Sequence, residues 1–98
     1  SIPFDYPSAQ AEAEIVVHEA GCSTETAVSL VELGLATRSL KNHGMREGAS
    51  TRLLIYAAKL MGSGMSIGDA AEATLVQSLT DDADLIRALQ DLIQTKLG

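Results

Sequence analysis

The run Gly48-Ala49-Ser50-Thr51-Arg52 sets a guanidinium at the start of a helically spaced apolar stretch. A helix start presents free N–H groups and the positive end of the macrodipole, so a cation there is disfavoured by about 0.3 kcal/mol or somewhat more. Two arrangements offset that cost. In the first, an anion meets the free N–H groups. The glycine and the two small residues let it approach the backbone, and Arg52 adds planar, bidentate donors suited to phosphate oxygens. In the second, Arg52 forms an ion pair with a carboxylate of a neighbouring helix. Spacing alone does not choose between them.

The other reactive side chains carry less. His18 and Cys22 fall four residues apart and could share a helix face as metal ligands. Gly21 interrupts that helix, however, and a closed zinc site needs two further ligands where only His43 remains. A surface histidine near a helix end and a small buried thiol explain the pair as well. Asp81, Asp82 and Asp84 could hold a divalent cation, yet carboxylates in a first helical turn stabilise the helix by themselves. There is no phosphate loop, no Gly-x-Ser-x-Gly elbow and no His-Glu-x-x-His pair. A small enzyme built on the polar groups from Gly44 to Arg52 would lack a nucleophile with its base. The chain taken by itself therefore reads as neither an enzyme nor a metal protein.

The elements that must position Arg52 are helical. Ser8 can cap a first helix whose stripe is Ala9, Ala13, Val16, Val17 and Ala20, closed by Gly21. Ser23 or Thr24 caps a second, with Ala27, Val28, Val31 and Leu35 along one face and an expected end near His43, before Gly44. A third spans about Ser50 to Met61, carrying Leu53, Leu54, Ala57, Ala58, Leu60 and Met61, and Gly62-Ser63-Gly64 ends it. Ser66 and Asp69 have capping spacing for a fourth, through about Ser78, with Ile67, Ala70, Ala71 and Leu75. Thr80 is the expected cap of a fifth, along which Leu85, Ile86, Leu89, Leu92 and Ile93 share a side as far as Lys96. The expected fold is all-α: a compact bundle of about five helices, preceded by a short extended segment at Ser1 to Pro7, where Pro3 and Pro7 disfavour helix.

Ninety-eight residues, 46% of them hydrophobic, make one domain with one core. Aromatic residues are 3% of the chain, so the helices must pack through small and aliphatic side chains. Seven Lys and Arg against thirteen Asp and Glu give a net charge of -6, the wrong sign for nucleic acid or an anionic membrane surface. No apolar run approaches the roughly 20 residues that span a bilayer, and no signal peptide is legible. A single cysteine, Cys22, allows no internal disulfide. The cytoplasm is the expected compartment. A first residue other than Met, followed by this short tail, fits a piece of a larger protein.

The segments EGASTRLLIYAAKLMGSG, Glu47 to Gly64, and SLTDDADLIRAL, Ser78 to Leu89, resemble the C-terminal part of the MoxR-type AAA+ ATPases, in the branch named for the NorQ and CbbQ proteins. FDYPSAQAEAEIVVHEAG, Phe4 to Gly21, resembles the passage from the ATPase core of such a protein into its helical lid. The similarity covers nearly the whole chain. It implies that residues 1–98 form a lid domain, with 1–7 as the linker from an absent core. It further implies that Arg52 is the sensor-2 arginine reaching the phosphates of ATP, beside Ser50 and Ala49, and that Tyr6 and Ile15 lie near the adenine. The phosphate loop, the Walker B acid, sensor 1 and the arginine fingers would all belong to the core, which would bind most of the ATP and its Mg. Thr51 stands where broader MoxR proteins usually have Pro, a departure that leaves the arginine in place. Relatives of this kind act as homo-hexameric activases that remodel a client enzyme, nitric oxide reductase or Rubisco for this branch, beside a partner with a von Willebrand factor A domain. The competing reading is a freestanding acidic helical interaction module with Arg52 in a structural ion pair.

Overall fold

Serine hydroxyls start four of the five helices, each in the place its sequence spacing suggests. In the computed structural model, which describes residues 7–40 and 48–97, α1 covers Ala9–Ala20, α2 Thr24–Ser39 and α3 Thr51–Gly62. The next element, α4, is a continuous helical run over 67–79 whose middle turn, Glu72–Val76, is wound as π-helix; α5 covers Ala83–Leu97. Ser8, Ser23, Ser50 and Ser66 accept from the N–H groups of Ala11, Thr26, Leu53 and Asp69 at 3.1 to 3.2 Å. Each thereby satisfies a donor with no intrahelical partner. Gly21 ends α1 at φ 71°, its N–H returning to the Val17 carbonyl, a conformation that costs glycine nothing.

No strand occurs among the described residues. Helices α2 and α3 form the centre: α1 lies against both, α4 packs on α3, and α5 packs on α2 and α4. The Cα radius of gyration is 12.6 Å, which for this length is that of a closely packed bundle. Leu30, Leu33, Leu54, Leu75 and Leu89 fill the core with Val16, Val31 and a set of alanines. Those small residues let helices approach closely. A methyl group added at Gly34 of α2 would stand 3.1 Å from Leu54 of α3.

Three sequence expectations need correction. Helix α2 stops at Ser39, short of His43, because its last turn tightens and the Leu40 N–H bonds back to Thr37 and Arg38; Lys41 and His43 lie outside the described residues. Val28 and Leu35 are exposed at 42% and 45% rather than buried, while Leu30, Leu33 and Thr37 point inward. Helix α2 is apolar on more than one side, so periodicity could not tell which side meets α3 and α5. Finally, Asp82 rather than Thr80 caps α5: its Oδ1 accepts from the N–H groups of Asp84 and Leu85, and the Thr80 hydroxyl accepts from Asp82 N–H in a turn just before. The expected extended segment at 1–7 lies, apart from Pro7, outside the described residues.

Candidate functional site

Arg52 stands in the first turn of α3, fully on the surface side of the helix, while Leu54, Ala57 and Ala58 hold the opposite side in the core. Among the described residues no carboxylate pairs with Arg52. Nor do the N–H groups of Thr51 and Arg52 have a partner there. The helix start therefore keeps an exposed guanidinium beside two open donors.

What lies behind that start is a buried polar cluster. Glu12 of α1 is fully buried and Arg38 of α2 nearly so. Arg38 Nη1 donates to Glu12 Oε1 at 2.9 Å and Nη2 to Oε2 at 2.5 Å, a bidentate pair, while its Nε donates to the Ala49 carbonyl at 2.8 Å. From the far side the Thr51 hydroxyl donates to Glu12 Oε2 at 2.8 Å. The Thr37 hydroxyl, donating to the Gly34 carbonyl at 2.7 Å, accepts the Ala49 N–H at 3.0 Å. Every buried side-chain nitrogen and oxygen among the described residues has a partner. Burial pushes the Glu12 carboxyl up, but the hydrogen bonds from Arg38 and Thr51 and the positive charge of Arg38 outweigh it and hold the group below its ordinary value.

Three helices are tied at this point to the residues that lead into α3. Gly48 passes so close to Arg38 that an added Cβ would lie 2.5 Å from the Arg38 Cα. Ala49 is fully buried, with both backbone polar groups committed to Thr37 and Arg38, so it has neither surface nor N–H to offer a ligand. Ser50 is exposed, its hydroxyl capping Leu53. Ile15 is exposed at 39% and lies one turn beyond Glu12 on α1. Tyr6 lies outside the described residues.

Glu12, Thr37 and Arg38 are not among the residues that sequence spacing marks for chemistry. One signal was available: Glu12 precedes Val16 by four residues and so falls on the apolar stripe of α1. The partner of a buried carboxylate, however, comes from the far end of another helix, and no local spacing announces it.

His18 and Cys22 do not form a centre. The Cys22 Sγ lies 4.0 Å from the Val16 carbonyl, burial raises its thiol pKa, and His18 is on the surface. Among the described residues no three His, Cys, Asp or Glu side chains converge as a metal site. A groove of about 590 Å³ runs between α1 and α2, floored by Ala13, Val17 and Val31 and edged by Glu14, His18 and Glu32. It opens on the other flank of α1 from Ile15, since Val17 and Ile15 stand about 160° apart around the helix, and none of Ile15, Ser50 or Arg52 lines it. No helix among the described residues is long and apolar enough to cross a membrane.

Residues 12–96 match the family model described as CbbQ/NirQ/NorQ C-terminal. The chain is similar to the denitrification regulatory protein NirQ of Pseudomonas aeruginosa, with 47% identity over 95% of this chain and 36% of that protein. It is 46% identical to protein CbbQ of Hydrogenophilus thermoluteolus, over 97% of this chain and 36% of that one. Protein NorQ of Paracoccus denitrificans is 41% identical over the whole of this chain and 36% of its own length. The chain thus spans about a third of the length of these relatives.

Proposed function

This chain belongs to the CbbQ/NirQ/NorQ C-terminal family, and from that premise we propose that it is the helical lid of an ATP-driven MoxR-type AAA+ activase, with Arg52 as the residue that senses nucleotide. The observation that carries the reading is the state of Arg52: exposed, unpaired among the described residues, and set at a helix start with open N–H groups. A phosphate offers what that donor set lacks, since its oxygens match both the planar fork of the guanidinium and the N–H groups behind it. The alternative, a structural ion pair at Arg52, loses its main support because the buried carboxylate of this region, Glu12, is taken by Arg38.

In this reading ATP and Mg are held mainly by an ATPase core outside the chain. The lid contributes Arg52, with Ser50 shaping the helix start and with Ile15, one turn past Glu12, and Tyr6 toward the base. Ala49 acts from behind, through the backbone bonds that fix the approach to α3. The whole protein would work in the cytoplasm as a homo-hexamer, its lid passing the nucleotide state to the neighbouring subunit, to a partner with a von Willebrand factor A domain and to a client enzyme. A regulatory role fits the name of the denitrification regulatory protein NirQ, and the client that the family resemblance implies is an enzyme of the nitric oxide reductase or Rubisco type.

Replacing Arg52 tests this directly. In a protein joining this chain to its ATPase core, Arg52→Ala should lower ATP hydrolysis by about 10²-fold or more, as loss of other transition-state donors to phosphate does. In the isolated domain the same change removes a cation from the positive end of α3, so the melting midpoint should stay or rise slightly. A destabilised variant with normal turnover while folded would overturn the assignment.

A further inference from the structure

Three bonds of the buried cluster address one short stretch of chain. Arg38 takes the carbonyl of Ala49, Thr37 takes its N–H, and Glu12 takes the hydroxyl of Thr51, so two of the three residues before Arg52 are gripped from α1 and α2 at once. Adhesion between α1 and α2 does not require this. A buried ion pair commonly gives no more stability than apolar side chains of the same volume. Apolar side chains, however, could not fix the first residues of α3 through a carbonyl, an N–H and a hydroxyl approached from different sides. Arg52 itself is exposed and its side chain makes no hydrogen bond or ion pair among the described residues, so the direction of its side chain follows from where the start of α3 is held.

We propose that Glu12, Arg38 and Thr51 are positioning residues for Arg52: through the Thr51 hydroxyl and the Ala49 carbonyl they fix the first turn of α3 so that the guanidinium meets the nucleotide phosphate in a set place. The inference rests on the nucleotide reading above and adds the residues through which α1 and α2 act on it. Glu12 and Arg38 touch no ligand, and their effect on hydrolysis passes entirely through Arg52. Thr51 is the most informative of the three, because its hydroxyl can be removed with little change in volume and without exposing a charge.

The experiment uses a protein joining this chain to its ATPase core, assayed with MgATP below the melting midpoint of every variant. Thr51→Val should lower kcat/KM by about tenfold, a factor in keeping with small misplacements of a reacting contact, and Thr51→Ser, which keeps the hydroxyl, should recover most of that loss. Thr51→Ala should behave as Thr51→Val does, and serves if valine packs badly. In an Arg52→Ala background neither Thr51→Val nor Glu12→Gln should lower turnover further, because a positioning role has nothing left to position. A merely structural role would lower the melting midpoint, leave kcat/KM of the folded protein unchanged and ignore the state of Arg52. Wild-type turnover in Thr51→Val, failure of Thr51→Ser to recover it, or the same loss with and without Arg52 would each overturn the positioning role while leaving the lid reading intact. Normal hydrolysis in Arg52→Ala alone would remove that reading and this inference with it.

Discussion

Glu12 and Arg38 lie 26 positions apart in the chain and meet out of water, which makes them dependent on each other. Removing either partner strands the other charge, at a cost of about 3 to 5 kcal/mol. The sign of the pH effect follows from the Glu12 carboxyl being held below its ordinary value. The folded state favours the ionised form, so its contribution to stability is complete above the ordinary glutamate pKa and is lost as pH falls through the lowered folded value. Glu12→Gln never has that contribution. In urea unfolding the variant should be much less stable than the parent at pH 7, and the gap should narrow steadily below about pH 4, near the ordinary glutamate pKa. A gap that stays constant down to pH 2 would show that Glu12 is not held ionised by Arg38 and Thr51.

At the scale of elements, the approach to α3 depends on a missing side chain. Gly48 faces the backbone of α2, and an added Cβ would meet the Cα and N of Arg38 at 2.5 and 2.8 Å. Backbone inside a helix yields little, so Gly48→Ala should push the loop away from α2 and cost about 1 to 3 kcal/mol in a denaturant titration, the range for forced overpacking. A change below about 0.5 kcal/mol, the ordinary range for surface substitutions, would mean that the loop is free to step back and that α3 is not anchored there. The π-helical turn within α4 shows the same dependence on neighbours. Thr74 donates to the Ala70 carbonyl at 2.8 Å, and Thr74, Leu75 and Val76 are buried in succession, a sequence of inward residues that a regular α-helix cannot present on one side.

For the whole molecule, one core made of aliphatic and small residues predicts one cooperative, mainly helical melt. Leu54 and Leu35 separate the core from its surroundings, being fully buried in α3 and 45% exposed in α2. Leu54→Ala should cost about 2 to 5 kcal/mol, whereas Leu35→Ala should cost less than about 0.5 kcal/mol. Equal losses, measured by thermal or urea unfolding of the isolated domain, would mean that the arrangement of α2 against α3 is wrong.

The sequence by itself determined the number and order of the helices. It also placed the serine caps at positions 8 and 66, narrowed the second cap to Ser23 or Thr24, began α3 near Ser50, and gave the Gly21 stop and Arg52 in a first turn, because capping and 3.6-residue periodicity act within a few neighbours. It carried the family resemblance as well, in the run that begins Gly48-Ala49-Ser50. At α5 the local pattern pointed to Thr80, two residues too early, and the path of the chain gave the helix to Asp82, which caps equally well. Tertiary structure alone decided which side of α2 is buried, since leucines and valines lie around most of that helix and only contact with α3 and α5 selects among them. It alone decided, too, that two ordinary surface residue types, Glu12 in a first turn and Arg38 in a last, leave water and close on Ala49 and Thr51. Burial of a charge is tolerable only when its partner arrives from elsewhere in the fold, and that arrival is a property of the packed molecule.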